Sequence, residues 1–271
     1  MGPADRLERS QWDFFWVPDD ASVHDRPELL HVSCPRDVRY LNAVTRTDPT
    51  YGDLDGLVAE VSRAHVAVRS RWVVPSRIAH DRLHRALNRG GYEATNEHDG
   101  RAIEARAFVP RPRPECRVVR VTSIEQLRDL VSVGKAAFGH DRAPSGEELR
   151  ADLRQCMDPG GRVHRFVAYA NGRPVSAGGL TVFDSLGFGF LWAGCTIPEA
   201  EGRGYYSAVV GERIAWAAAR GLHWIGLYAR TTTSSLIVAA QGFGRFGTMT
   251  YWERSPHGGP SPPLPATPPD R

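Results

Sequence analysis

The sequence predicts an α+β protein in which a mixed, mainly antiparallel sheet is flanked by helices, and three observations carry that prediction. A strand-like run, VVRVT (118–122), is followed by two helical segments that each open on a serine capping box. Three β-like runs then follow one another through tight-turn sequences, the first of them Asn171-Gly172, which marks a hairpin. Beyond these the pattern alternates between helix and strand, giving the order β-α-α-β-β-β-α-β-α-β. With 271 residues, 41% hydrophobic and 24% charged, the chain has the composition of a globular protein with a sizeable core.

Each element has a local reason. Ser123-Ile-Glu-Gln126 is a capping box, and Leu127, Leu130, Val131 and Phe138 follow at helical spacing. Ser145-Gly-Glu-Glu148 opens a second helix through Leu149 and Leu153, which the Asp158-Pro-Gly-Gly turn ends. FVAYANGRPVSAGGLTVF (166–183) turns at Asn171-Gly172, Asp184-Ser-Leu-Gly187 makes the next turn, and Phe188, Phe190 and Trp192 alternate along FGFLWAGCTI. A three-stranded antiparallel meander is expected. The next helix buries Tyr206, Val209, Val210, Ile214 and Ala217, and Arg220-Gly221 closes it. LHWIGLYA supplies a strand, SSLIVAAQ a short helix and FGRFGTMTYWE the last β segment.

The first half repeats part of this order. RWVVPSRIAHDRLHRALNRGGY (71–92) resembles HWIGLYARTTTSSLIVAAQGF (223–243), a strand with Trp, a break with Ser, a short helix and then Gly-aromatic. A duplication explains the match; so does the commonness of this supersecondary order. Residues 53–68 stand where the longer helix would be, but Thr50 to Gly56 carries two acids and no basic glycine loop. The expected division is an N-terminal domain over 1–108, a proline-rich linker over 109–115, a second domain over 116–253 and a disordered proline-rich tail over 254–271. Trp12, Phe14, Phe15 and Trp16 are expected to anchor the N-terminal segment.

Several classes are excluded. The formal charge is +3, from 34 basic against 31 acidic residues, too balanced to predict a nucleic-acid partner. No long apolar run and no greasy leader stand in the sequence, so no membrane partner and a cytoplasmic location are expected. Cys34, Cys116, Cys156 and Cys195 show no CxxC spacing, which predicts reduced thiols and no metal. His80 and His84 lie one helical turn apart without a third ligand, and Gly242 to Gly247 fits GxGxxG only in the wrong structural order.

What remains is Gly202-Arg203-Gly204, set between a strand and a long helix. Unpaired amides at a helix start, with the helix dipole behind them, favour an anion, and glycine lets it approach the backbone. Residues 116–253, through Glu201-Gly202-Arg203-Gly204-Tyr205-Tyr206, Gln241-Gly-Phe243 and the order of elements, resemble the GNAT superfamily of coenzyme A-dependent N-acyltransferases. With the repeat in the first half, a tandem GNAT-like fold is implied, its N-terminal half degenerate. The resemblance implies that the backbone of Gly202, Arg203, Gly204, Tyr205, Tyr206 and Ser207 grips the donor's pyrophosphate, while Cys195, Thr196 and Ile197 pair with its pantetheine arm.

It further implies acetyl-CoA or another acyl-CoA as donor substrate, no metal, and an amine of a small molecule or peptide as acceptor. Two alternatives stand beside this reading. One is an acyl carrier protein as the source of the pantetheine thioester; the other is a non-catalytic GNAT-like binding or regulatory protein. The sequence departs from the family pattern at Glu201, where Arg or Gln is usual, at Tyr206, where a small residue is usual, and at Val238, where many members place a tyrosine as general acid. Ser234, Ser235 and Tyr228 are the candidate substitutes for that acid, and Asp184, His140, Asp141 or a water relay the candidate bases.

Overall fold

The structure is a computed structural model, described over residues 1–13, 17–111, 113, 115–139 and 143–256. The chain begins α1 (Pro3–Arg9), β1 (Ser22–Arg26), β2 (Leu29–Ser33), β3 (Ala43–Thr47), α2 (Leu54–Ala64), β4 (Ser70–Pro75), α3 (Asp81–Arg89) and β5 (Glu93–Glu104). It continues β6 (Cys116–Arg120), α4 (Ile124–Phe138), α5 (Gly146–Met157), β7 (Val163–Ala170), β8 (Arg173–Phe183) and β9 (Phe188–Thr196). Then come α6 (Tyr205–Ala219), β10 (Trp224–Arg230), α7 (Ser234–Ala239) and β11 (Gly244–Arg254). From β6 onward this is the order read from the sequence. The strands β1 to β3 carry few turn dipeptides and were not separable by pattern; helix α1 likewise had no signal beyond Pro at its first position.

The chain divides into two compact units that are discontinuous in sequence. One holds Met1–Ser10 and Asp99–Phe246; the other holds Gln11–His98 and the chain from Gly247 onward. The expected division near residue 109 therefore differs from the contact units, for a definite reason. Strand β5 continues past His98 to lie beside β10, and β11 continues past Phe246 to pair with β4. Each half of the chain lends its last strand to the other unit, and Val109–Glu115 falls inside the larger one.

In the smaller unit, β1, β2 and β3 pair antiparallel, β4 runs parallel to β3 through only Ala43↔Arg71 and Val44↔Trp72, and β11 closes the order antiparallel to β4. Leu57, Val58, Val61, Trp72, Leu83, Leu87 and Tyr92 form its core with Trp252. At the start of α2 the Asp53 carboxylate accepts the Gly56 N–H at 2.8 Å. The helix start that would correspond to an anion loop is thus capped by its own acid. His80 caps α3, its side chain accepting from the Leu83 N–H, and His84 lies 5.1 Å from the Trp252 ring; among the described residues no group of three or more ligands could hold a metal.

In the larger unit, β6, β7, β8 and β9 form an antiparallel run and β10 joins β9 parallel. Both capping boxes form, Ser123 with Gln126 and Ser145 with Glu148. Asn171 and Gly172 both take positive φ, 50° and 74°, the pair of left-handed residues that a type I′ hairpin requires. Leu180, Val182, Leu191, Val209, Val210, Ile214 and Ile225 are buried between sheet and α6. The four cysteines are free thiols. Of the N-terminal aromatics, Trp12 lies under the Arg46 guanidinium at 5.7 Å, whereas Phe14, Phe15 and Trp16 fall outside the described residues. So do His140, Asp141 and the tail from residue 257. No helix among the described residues is long and apolar enough to cross a membrane.

Candidate functional site

The geometry of the site starts from a failure of strand pairing. β9 and β10 are joined by three pairs, Trp224↔Phe188, Ile225↔Gly189 and Gly226↔Phe190, and no further. From Leu191 to Thr196 and from Leu227 to Arg230 the two parallel strands have no register with each other. Over these stretches the facing edges of β9 and β10 do not pair with each other as neighbouring strands of a regular sheet do. The cause is local to β9. Between the pairs Gly179↔Trp192 and Ala177↔Cys195, one residue of β8 faces two of β9, a bulge at Ala193–Gly194, and Ala193 takes the left-handed φ of 46°. A non-glycine residue in that region is costly, and such strain clusters at functional sites.

At the end of β9 the chain turns through Pro198–Ala200 into Glu201-Gly202-Arg203-Gly204 and α6. Gly202 and Gly204 have φ of 71° and 82°. Gly204 is the N-cap of α6 and offers no capping side chain. Among the described residues the N–H groups of Gly202 through Ser207 donate to no backbone carbonyl. Six consecutive amides around this helix start therefore have no backbone acceptor among the described residues, the kind of donor set that suits phosphate oxygens. A Cβ on Gly202 would meet nothing, whereas on Gly204 it would meet the Arg113 guanidinium, its Nε at 2.5 Å. Arg113, in the proline-rich segment, thus lies against this loop. Its neighbour Arg111 donates from Nη2 to the Ala240 carbonyl at 2.8 Å, which ties the same segment to the end of α7.

The expected site residues separate into groups. Gly202, Arg203, Gly204, Tyr205, Tyr206 and Ser207 form the loop and first turn; the Ser207 hydroxyl accepts from Gln241 Nε2 at 3.0 Å, which joins the loop to the Gln241-Gly-Phe243 signature. Cys195 and Thr196 lie on the stretch of β9 that pairs with β8 but has no register with β10, and the Ile197 amide is already spent on the Val175 carbonyl at 3.0 Å. Cys195 is buried, and burial pushes its thiol up to about 11, so it is no nucleophile at neutral pH. Tyr228 stands on β10 beyond its last register pair with β9, its ring 6.3 Å from Phe190. Ser234 accepts the Arg230 N–H at 3.0 Å.

Ser235 is wholly buried. Its hydroxyl donates to Asp99 Oδ2 and accepts from Arg101 Nε at 2.9 Å, inside a network that also ties Arg245 to Asp99. Asp184 sits in the turn between β8 and β9, at the end where β9 and β10 are still paired and away from the opening. Val238 is fully buried and has no proton to give. Residues that the sequence reading passed over are Arg113, which lies on the loop, and Arg213 of α6, whose guanidinium lies beneath the bulge. Neither carried a motif; the signal for Arg213 was a charge on the buried stripe of an amphipathic helix, at the spacing of Val209, Val210 and Ile214.

No family model matches the sequence, and no curated protein matches it. By structure the chain is similar to a GCN5-related N-acetyltransferase from Kribbella flavida, with a TM-score of 0.68 and 14% identity over 94% of this chain and 96% of that one. It is similar as well to a tandem GNAT protein from the clavulanic acid biosynthesis pathway, with a TM-score of 0.61 and 11% identity over 94% and 89% of the two chains. A functionally unknown conserved protein from Staphylococcus epidermidis gives a TM-score of 0.61 at 14% identity, over 88% and 96%. At these identities the likeness is one of fold. The chain has the GNAT fold, matched over nearly its whole length by a tandem member.

Proposed function

We propose that the protein moves an acetyl or other small acyl group from a coenzyme A thioester to an amine of a small molecule or peptide. The observation that carries this reading is the continuity of two features: the opening between β9 and β10 leads directly to the six unpaired amides of Gly202–Ser207. An extended, amide-bearing arm fits the first feature as an added strand would, and a pyrophosphate fits the second. Cys195 and Thr196 stand beside the arm and Ser207 beside the phosphates. Glu201 opposes the phosphates, and Arg113 with Arg203 supplies the cations that offset it. The smaller unit, whose matching helix start is capped by Asp53, is read as a non-catalytic partner of the same ancestry.

In the reaction the amine nitrogen bonds to the thioester carbonyl carbon, the C–S bond breaks with its electron pair on sulfur, and the proton lost by nitrogen is balanced by the one gained as thiol. A thiolate is a competent leaving group near its ordinary pKa of about 8.5, so a buried Val238 is compatible with turnover. Tyr228, on the open stretch of β10, is the hydroxyl best sited to act as acid. Ser235 is engaged by Asp99 and Arg101, and its role is read as structural.

The test is release of free thiol from acetyl-CoA across a panel of primary amines and peptide N-termini. Amine-dependent release is expected. Donor binding with no release for any amine would favour the non-catalytic alternative, and release only from a carrier-bound pantetheine thioester would move the donor to a carrier protein.

A further inference from the structure

Arg213 projects from the buried face of α6 into the sheet and is 1% exposed. Its Nε donates to Val209 O in its own helix at 3.1 Å, and Nη1 donates to Gly179 O of β8 at 2.9 Å and to Trp192 O of β9 at 3.4 Å. Nη2 has no partner among the described residues. Among the described residues no carboxylate acts on it: the ionisable groups that face it are Tyr206 of α6 and Cys195 of β9, and β8 presents Gly178 and Gly179. A buried cation without a counter-ion is costly, and a core of apolar side chains would hold α6 to the sheet as well. Its placement has to answer to something else.

The surroundings are specific to a guanidinium. Gly179 and Trp192 form the last regular pair before the bulge, and Nη1 takes the carbonyls of both. Gly178 and Gly194 are the residues at the bulge itself. A Cβ on the first would stand 2.7 Å from Nη1, and on the second 3.3 Å from Nη2 and 2.8 Å from the Tyr206 ring. Two glycines therefore make the bed in which the guanidinium lies, and its Nη1 ties a β8 carbonyl to a β9 carbonyl beside the bulge.

We propose that Arg213 is a positioning residue for the donor thioester, bracing the Ala193–Gly194 bulge through the adjoining Gly179 and Trp192 carbonyls and keeping the free Nη2 charge beneath the stretch of β9 along which the donor's sulfur would lie. This rests on the donor reading above. Burial pushes the guanidinium down to about 10, which leaves it a cation at neutral pH. A fixed positive charge in a water-poor site favours the electron pair that remains on sulfur when C–S breaks. Arg213 keeps its own protons throughout; the proton that completes the thiol comes from the acid, Tyr228, and is balanced by the one the amine releases.

The charge can be read without turnover. Coenzyme A and desulfo-coenzyme A, which lacks the sulfur, are titrated into the full chain from about pH 6.5 to about pH 9.5, since a free thiol titrates near 8.5 and a neighbouring cation lowers it. The ratio of the two affinities is expected to rise about tenfold across that range in the native protein, the value for a shift of one pKa unit. It should stay flat in Arg213→Met and rise again in Arg213→Lys, with thermal melts reporting whether each variant folds. A flat ratio in the native protein overturns the proposal whatever the variants do, and so does an equal rise in Arg213→Met. Binding of neither ligand to the native protein removes the donor reading and this proposal with it.

Discussion

Gly204 shows how much one residue can hold. Its φ of 82° lies where a side chain costs about 1–2 kcal/mol, and its Cα faces Arg113. Gly204→Ala is expected to lose about that much stability by denaturant melt and, by pushing Arg113 aside, to weaken donor binding. Val238 makes the opposite point. Restoring a tyrosine there should not restore an acid, because the site is fully buried: Val238→Tyr is expected to destabilise by about 1–3 kcal/mol from overpacking, read as a lower melting temperature, with no gain in thiol release. The loop glycines were legible in the sequence because left-handed backbone leaves a mark in residue type. Arg213 left only a charge on the buried stripe of α6, and Arg113 left no mark, because what a side chain meets across the fold is not written in its sequence neighbours.

Elements were legible wherever they are fixed by short-range chemistry. Both serine capping boxes and the Asn171-Gly172 hairpin stand as their local sequences require. Ser145→Ala should cost about 1 kcal/mol in a thermal or chemical melt, the usual worth of an N-cap whose hydroxyl accepts a backbone N–H. The bulge in β9 was not legible, since Trp192-Ala-Gly-Cys195 alternates as well as any strand does. Only its partners reveal it: Arg213 from α6 below, and the loss of pairing with β10 beyond Phe190. Ser235 and Asp184 illustrate the same limit. Both have the right chemistry for catalysis by residue type, yet one is committed to Asp99 and the other lies at the closed end of the strand pair.

At the scale of the whole molecule, the exchange of final strands could not be read from a chain scanned end to end. The linker at 109–115 has the composition of a boundary, but the compact units are cut at His98/Asp99 and Phe246/Gly247. Fragments ending or starting at Pro110 are therefore expected to stay unfolded alone and to recover cooperative melting when coexpressed; independent folding of either fragment would contradict this. A second whole-molecule property is acid sensitivity. Burial pushes His31, His65 and His164 down from 6.5 to about 4. Below about pH 6.5 the unfolded chain binds protons that these buried imidazoles refuse, so their contribution is complete above that pH and is lost as pH falls towards 4. Each can withdraw up to about 3 kcal/mol, and His65→Asn is expected to flatten the fall in stability between pH 6.5 and 4.

All of these levels meet at the loop where β9 ends. The most direct test is isothermal calorimetry of acetyl-CoA with the full chain beside Gly204→Glu, a change that puts an acid into the amide array. Micromolar binding in the native protein, abolished in the variant while its melting curve remains cooperative, is the predicted result. No binding to the native protein, or binding that the variant leaves unchanged, would contradict the assignment of this loop as the donor's phosphate site.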